Sequence, residues 1–207
     1  MTKYKNGPLG PFSGKLGDKV YSSWKNDDVV KDAPEKTTKE PTQRQLEQRE
    51  KFSLLTAFFS CIYDVIAVGF QAFTYKMTQM NAAMKFNTDI ITGVSPNFSI
   101  DYPKVLISKG KLNGPIGVKL KCDASGQMKL SWEFQAECDQ ATDRACILFY
   151  DESINDCFII SGIVRREDAA LLFFKQHDAI DDLVHVWLFF ISANGRKVSN
   201  SVYAGNG

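Results

Sequence analysis

The sequence predicts an α+β chain: a glycine-rich N-terminal β-arm, a long buried helix followed by a short helix, and a C-terminal antiparallel β-sandwich. Three observations carry this. Apolar residues recur at helical spacing from Leu46 to Phe70, a period-two pattern takes over from about Ile100, and turn chemistry then separates the apolar runs at roughly the 8 to 12 residue spacing of a sandwich. The division that follows is residues 1–33 as arm, 34–41 as linker, 42–95 as a helical segment packed on the sandwich, and 98–207 as the sandwich domain.

In the arm, Gly7, Gly10, Gly14 and Gly17 alternate irregularly with Phe12, Tyr21 and Trp24, which excludes a helix. Lys19 to Ser23 and Asp28 to Lys31 read as short strands, with Asn26-Asp27 turning between them. Asp32 to Pro41 is charged and bounded by Pro34 and Pro41, the composition of an exposed linker. Thr42 and Gln45 then form a T-x-x-Q capping box, so a helix starts there. Leu46, Phe52, Leu55, Phe59, Ile62, Ile66 and Phe70 make its apolar stripe, widened by Leu54, Phe58 and Val65, while Gln43, Gln48, Arg49 and Glu50 leave the first turns exposed. A second, weaker helix spans about Thr78 to Phe86, and Ser95-Pro96-Asn97 ends it.

Beyond the boundary, Val118, Leu120 and Cys122 alternate with lysines, Asp123 to Gly126 turns the chain, and Met128, Leu130, Trp132 and Phe134 alternate again. This is a hairpin with one dry and one wet face. Further strands are expected at Ala145 to Tyr150, Asp156 to Val164, Ala169 to Phe174, Leu183 to Ser192 and Lys197 to Ala204, the last two joined by Asn194-Gly195. Leu183 to Ile191 is apolar on both faces apart from His185, which puts it inside its sheet. Cys122 and Trp132 are spaced as in an immunoglobulin domain, but the late central strand has no cysteine, so a fibronectin type III-like sandwich is the better description.

Composition narrows the function. The 207 residues carry 25 Lys+Arg against 24 Asp+Glu, and the signs are interleaved, which argues against a nucleic-acid partner. No apolar h-region follows the N-terminal lysines, so the default expectation is cytoplasmic. Phe52 to Phe73 has the length of a membrane span, but Asp64 near its middle favours a buried amphipathic helix. The 5 cysteines have no CxxC spacing and read as reduced, apolar side chains.

Catalytic patterns are missing. Gly10-Pro11-Phe12-Ser13-Gly14-Lys15 imitates a phosphate loop, but its glycines are one residue too close and Leu16 stands where Ser or Thr would hold magnesium. His177 reads as a solvated loop residue beside Asp178, Asp181 and Asp182, and His185 as a satisfied core histidine. Glu133 with Glu137, and Asp139 with Asp143, read as exposed strand-end carboxylates. No catalytic, cofactor-binding or metal residue is assigned and no cofactor is implied. The expected role is non-enzymatic binding or structural interaction with a protein partner or another copy, through the aromatics Phe12, Tyr21, Trp24 and Tyr203.

Longer patterns carry a resemblance. Gly7-Pro8-Leu9-Gly10 through Gly14-Lys15-Leu16-Gly17, Ser22-Ser23-Trp24-Lys25, Pro41-Thr42 with Gln45, Gln48, Arg49 and Phe52, and finally Phe190 to Gly195 with Val198 to Tyr203 resemble a family of uncharacterised proteins of Bacteroidetes-type bacteria, a domain of unknown function. That resemblance implies no activity, cofactor or site. Asp32 departs from it, standing where an Arg-Ser continuation is the pattern. The first quarter is also similar to the opening of some phage virion structural proteins, which implies assembly, as a particle or filament subunit, with the arm docking by strand addition.

Overall fold

The computed structural model describes residues 2–4, 13–24, 27–35, 39–75, 77–122, 127–137, 140–174 and 184–206. The chain divides into two compact units, Met1–Thr42 and Gln43–Gly207.

The first unit is a four-stranded antiparallel sheet of β1 (Thr2–Tyr4), β2 (Gly14–Leu16), β3 (Lys19–Trp24) and β4 (Asp27–Asp32), in the order β1-β4-β3-β2. β3 and β4 match the two strands read from the sequence; β1 and β2 extend the sheet beyond them. Gly17, at φ +62, makes the turn from β2 to β3. The outermost register pair of β3 and β4, Lys19 opposite Asp32, is joined by an exposed ion pair.

The second unit has three layers. Its central sheet is formed by β9 (Arg144–Asp151), β10 (Asp156–Arg165), β12 (Val184–Ile191) and β13 (Val202–Asn206), in the order β10-β9-β12-β13. One face meets a three-stranded sheet of β7 (Ile116–Cys122), β8 (Gln127–Glu133) and β11 (Ala170–Phe174), ordered β11-β8-β7. Leu130 and Trp132 of β8 pack there against Ala145, Ile147 and Phe149 of β9 and Val186, Leu188 and Phe190 of β12. The other face is covered by helices α1 (Gln43–Cys61), α2 (Tyr63–Gly69) and α3 (Gln79–Phe86), with Phe58, Phe59, Ile62 and Ile66 on Cys146, Leu148, Tyr150, Trp187 and Phe189. A strand that alternates into two dry layers is apolar on both faces, which is why Val184 to Ile191 is apolar at every position except His185. The inner position expected for that strand is the one it holds.

Four differences from the sequence reading have physical causes. The helix expected to run through Phe70 breaks at Ile62, and α1 and α2 meet at 87°. The bend lets α2 lie over the chain at Ile107, where a Cβ on Gly69 would come within 2.2 Å of the Ile107 carbonyl oxygen. The helical stripe also begins too early: Leu46 and Phe52 are exposed, and burial starts at Leu55. Strand structure begins before Ile100, in a hairpin of β5 (Ile91–Val94) and β6 (Asn97–Ile100) turned at Ser95-Pro96, so the proline closes a hairpin instead of merely ending a helix. Finally, the last strand starts at Val202; Val198 and Ser199 form only isolated bridges, to Ile191 and Leu112.

Candidate functional site

Where the central sheet meets the helices, polar and aromatic side chains gather around His185. This histidine, on β12, is buried, and its ring stacks on Tyr102 with centroids 3.9 Å apart. Tyr102 sits in the short 3-10 turn Tyr102–Lys104, with Pro103 in the first turn. The His185 Nδ1 lies 2.8 Å from the Tyr203 hydroxyl of β13, and Nε2 faces Glu152 at 3.6 Å. Tyr150, on β9 opposite His185, donates to Asn155 Oδ1 at 2.9 Å and packs edge-on to Phe58. Trp187 stands between Phe58 and Tyr203.

Burial sets the charge of this cluster. It lowers the His185 pKa from the usual 6.5, with Glu152 opposing, and raises the phenols of Tyr102, Tyr150 and Tyr203 above their usual 10.0. At neutral pH the imidazole and all three phenols are therefore uncharged, and a Tyr203 hydroxyl that donates to Nδ1 turns the Nε2 proton toward Glu152. Glu152 is the member that solvent reaches. Such an array fixes rings and hydroxyls in place.

Three sulfur and oxygen ligands lie beside it. Cys61 ends α1, Asp156 and Cys157 open β10, and one ligand atom from each falls within 4.8 Å of the others. A shallow hollow of ≈ 850 Å³ lies elsewhere, along α1, lined by Gln48, Arg49, Phe52, Ser53 and Thr56.

Exposed apolar side chains also lie along the sheet edges. Among the described residues, β10 is outermost in the central sheet and β11 outermost in the other. On and beside β10, Ile154, Phe158 and Ile163 are 53%, 63% and 81% exposed, and Leu172 of β11 is 56% exposed. Gly162, at φ +79, lies where the register of β10 against β9 shifts, so uninterrupted pairing covers Asp156 to Ser161.

The residues singled out in the sequence are scattered. Tyr21 is half-buried on β3, opposite Val30 and Gly14. Trp24 ends β3 opposite Asp27, and its side chain lies outside the described residues, as do Phe12 and the whole of His177, Asp178, Asp181 and Asp182. Tyr203 belongs to the second unit and is half-buried against His185 and Trp187. Lys15 of the apparent phosphate loop lies in β2, which is followed by a turn and a strand instead of a helix.

Asp143, read as an exposed carboxylate, is fully buried. It faces Arg166, whose guanidinium lies over the Phe190 ring at 4.4 Å and whose carbonyl accepts the Trp132 indole N–H at 2.9 Å. The serines near the C-terminus also have a role that spacing alone did not reveal. Ser201 Oγ accepts from the Ile107 amide, Ser108 Oγ donates to the Ser199 carbonyl, and Asn200 Oδ1 accepts from the Gly110 amide. They tie residues 107–110 to the turn after β12, and their clustering as Ser-Asn-Ser was the available signal.

The architecture is thus that of an α+β protein, with antiparallel sheets and one helical layer. The chain belongs to the family of unknown function DUF6266, whose model matches residues 11–205. No curated protein matches it.

Proposed function

We propose that this protein is a non-enzymatic binding or structural interaction protein, and that its partner is a protein that adds a strand along β10. One observation carries the reading: a ten-residue edge strand with Phe158 and Ile163 largely in water, where a natural edge is ordinarily short, charged or covered. Backbone pairing along Asp156 to Ser161 would supply affinity, and the apolar side chains would supply specificity. The close packing around His185, stacked on Tyr102 and hydrogen-bonded through Nδ1 to Tyr203, supports a structural role for these groups. Seven strands in sheets of four and three support the fibronectin type III-like description of the sandwich. Tyr21 and Trp24, with Phe12, would form a second contact surface on the first unit.

The runner-up is a self-assembling subunit of a phage-like particle or filament. The compact first unit favours it, because its outer strands β1 and β2 are themselves edges that a second copy could pair with. Cytoplasmic residence goes with the first reading and a Bacteroidetes-type or phage setting with either. Light scattering of the full chain separates them. A homo-oligomer that dissociates when residues before Lys36 are deleted supports assembly, and a monomer at all concentrations removes it. A protein partner captured by the parent but lost by Phe158→Lys with Ile163→Lys supports the β10 reading; capture unchanged by both substitutions overturns it.

A further inference from the structure

We propose that Cys61, Cys157 and Asp156 form a binding site for one thiophilic dication of the zinc class, with its fourth position left to solvent. The argument for it does not use the partner reading above, although Asp156 and Cys157 open the stretch of β10 assigned to that partner. Its three ligand atoms come from two elements distant in sequence, the last residue of α1 and the first two of β10, and they converge to within 4.8 Å. In a tetrahedral site, metal–sulfur bonds of about 2.3 Å place the two sulfurs about 3.8 Å apart, so small side-chain rotations complete the geometry.

The surroundings are those of a cation site. The Cys157 thiol donates to the Cys61 carbonyl at 3.1 Å, and the Cys61 thiol donates to the Asn155 carbonyl at 3.6 Å. The Cys61 carbonyl belongs to the negative end of a nineteen-residue helix whose last turn holds no basic residue. Asp156 and, from the first turn of α2, Asp64 add negative charge. Each thiol gives its proton to solvent as its sulfur bonds the metal, and the carboxylate binds without proton loss. Two thiolates with one carboxylate suit a zinc-class ion, whereas magnesium and calcium prefer all-oxygen sites.

The test uses the full chain, reduced, freed of metal with a chelator and titrated with cadmium and cobalt. The expected result is a thiolate-to-metal charge-transfer band saturating at one ion per chain, with proton release and a raised melting temperature. Cys61→Ser and Cys157→Ser should each abolish the band, Asp156→Asn should weaken binding about tenfold or more, and Cys122→Ala should leave it unchanged. Circular dichroism of each variant in chelator shows whether loss of the band reflects loss of the site or of the fold; Asp156→Asn, an exposed substitution, decides the matter where a cysteine variant fails to fold. Absence of the band in the folded parent overturns the proposal, as does a band that survives both serine substitutions. A Cys61–Cys157 disulfide that, once reduced, takes up no metal also overturns it.

Discussion

Asn87 caps α3 from a fully buried position, and its amide does the work of a missing strand neighbour. Nδ2 donates to the Ala83 and Leu106 carbonyls at 2.8 and 2.9 Å, while Oδ1 accepts the Leu106 amide at 2.8 Å. Alanine there strands both backbone groups of Leu106, so Asn87→Ala should lower unfolding stability by about 2 to 4 kcal/mol. Urea unfolding measures this as a lower midpoint at unchanged slope, and a loss below about 0.5 kcal/mol would contradict the assignment.

His185 makes a pH-dependent contribution of definite sign. Its folded-state pKa lies below the usual 6.5, so between the two values the unfolded chain binds more protons than the folded one. Stability is then complete above pH 6.5 and is lost as pH falls through that value toward the folded one. His185→Gln keeps a hydrogen-bonding group for Tyr203 and should flatten the stability profile below pH 6.5, with His177 still present as the control. An unchanged slope would place the dependence elsewhere. His185 was legible as a core histidine because its strand neighbours are apolar. Its stacking on Tyr102 was not, because that contact spans 83 positions and is set by a turn, not by periodicity.

At the scale of elements, local chemistry was readable where it was sufficient on its own. Thr78 accepts the Asn81 amide at 3.1 Å and starts α3, as the spacing suggests. The alternation from Val118 to Trp132 folds as a hairpin for the same reason. The turn between α1 and α2 was illegible, since the apolar stripe runs through it unbroken and its cause is close packing on a segment about forty residues away. That packing can be tested. A methyl group on Gly69 would meet the Ile107 carbonyl oxygen at 2.2 Å and the Ser108 Cα at 3.0 Å, both backbone. Gly69→Ala should therefore cost about 2 kcal/mol or more, although alanine is the better helix former. Gly114→Ala, where an added Cβ would lie an ordinary 3.6 Å from the Asn200 carbonyl oxygen, is the control. Equal thermal midpoints for the two variants would show that α2 does not rest on this contact.

At the scale of the whole molecule, both hydrophobic clusters lie inside Gln43–Gly207. The helix-side cluster draws its earliest member from Leu54, and the sandwich cluster begins at Leu112. The first unit contributes Val29 as its one fully buried apolar residue among those described. A chain beginning at Pro41, which keeps Thr42 ahead of α1, should consequently unfold in one cooperative transition and retain the near-ultraviolet dichroism of Trp132 and Trp187, whose indoles sit in the two clusters. The counter-result is specific: far-ultraviolet signal kept while the near-ultraviolet signal is lost, the mark of a collapsed chain without fixed packing. That outcome would mean that the four-stranded unit is needed to order the sandwich and is not a separately folded arm. Cooperative unfolding of the shortened chain would instead leave the first unit free to serve contacts with other molecules, which the assembly reading requires of it.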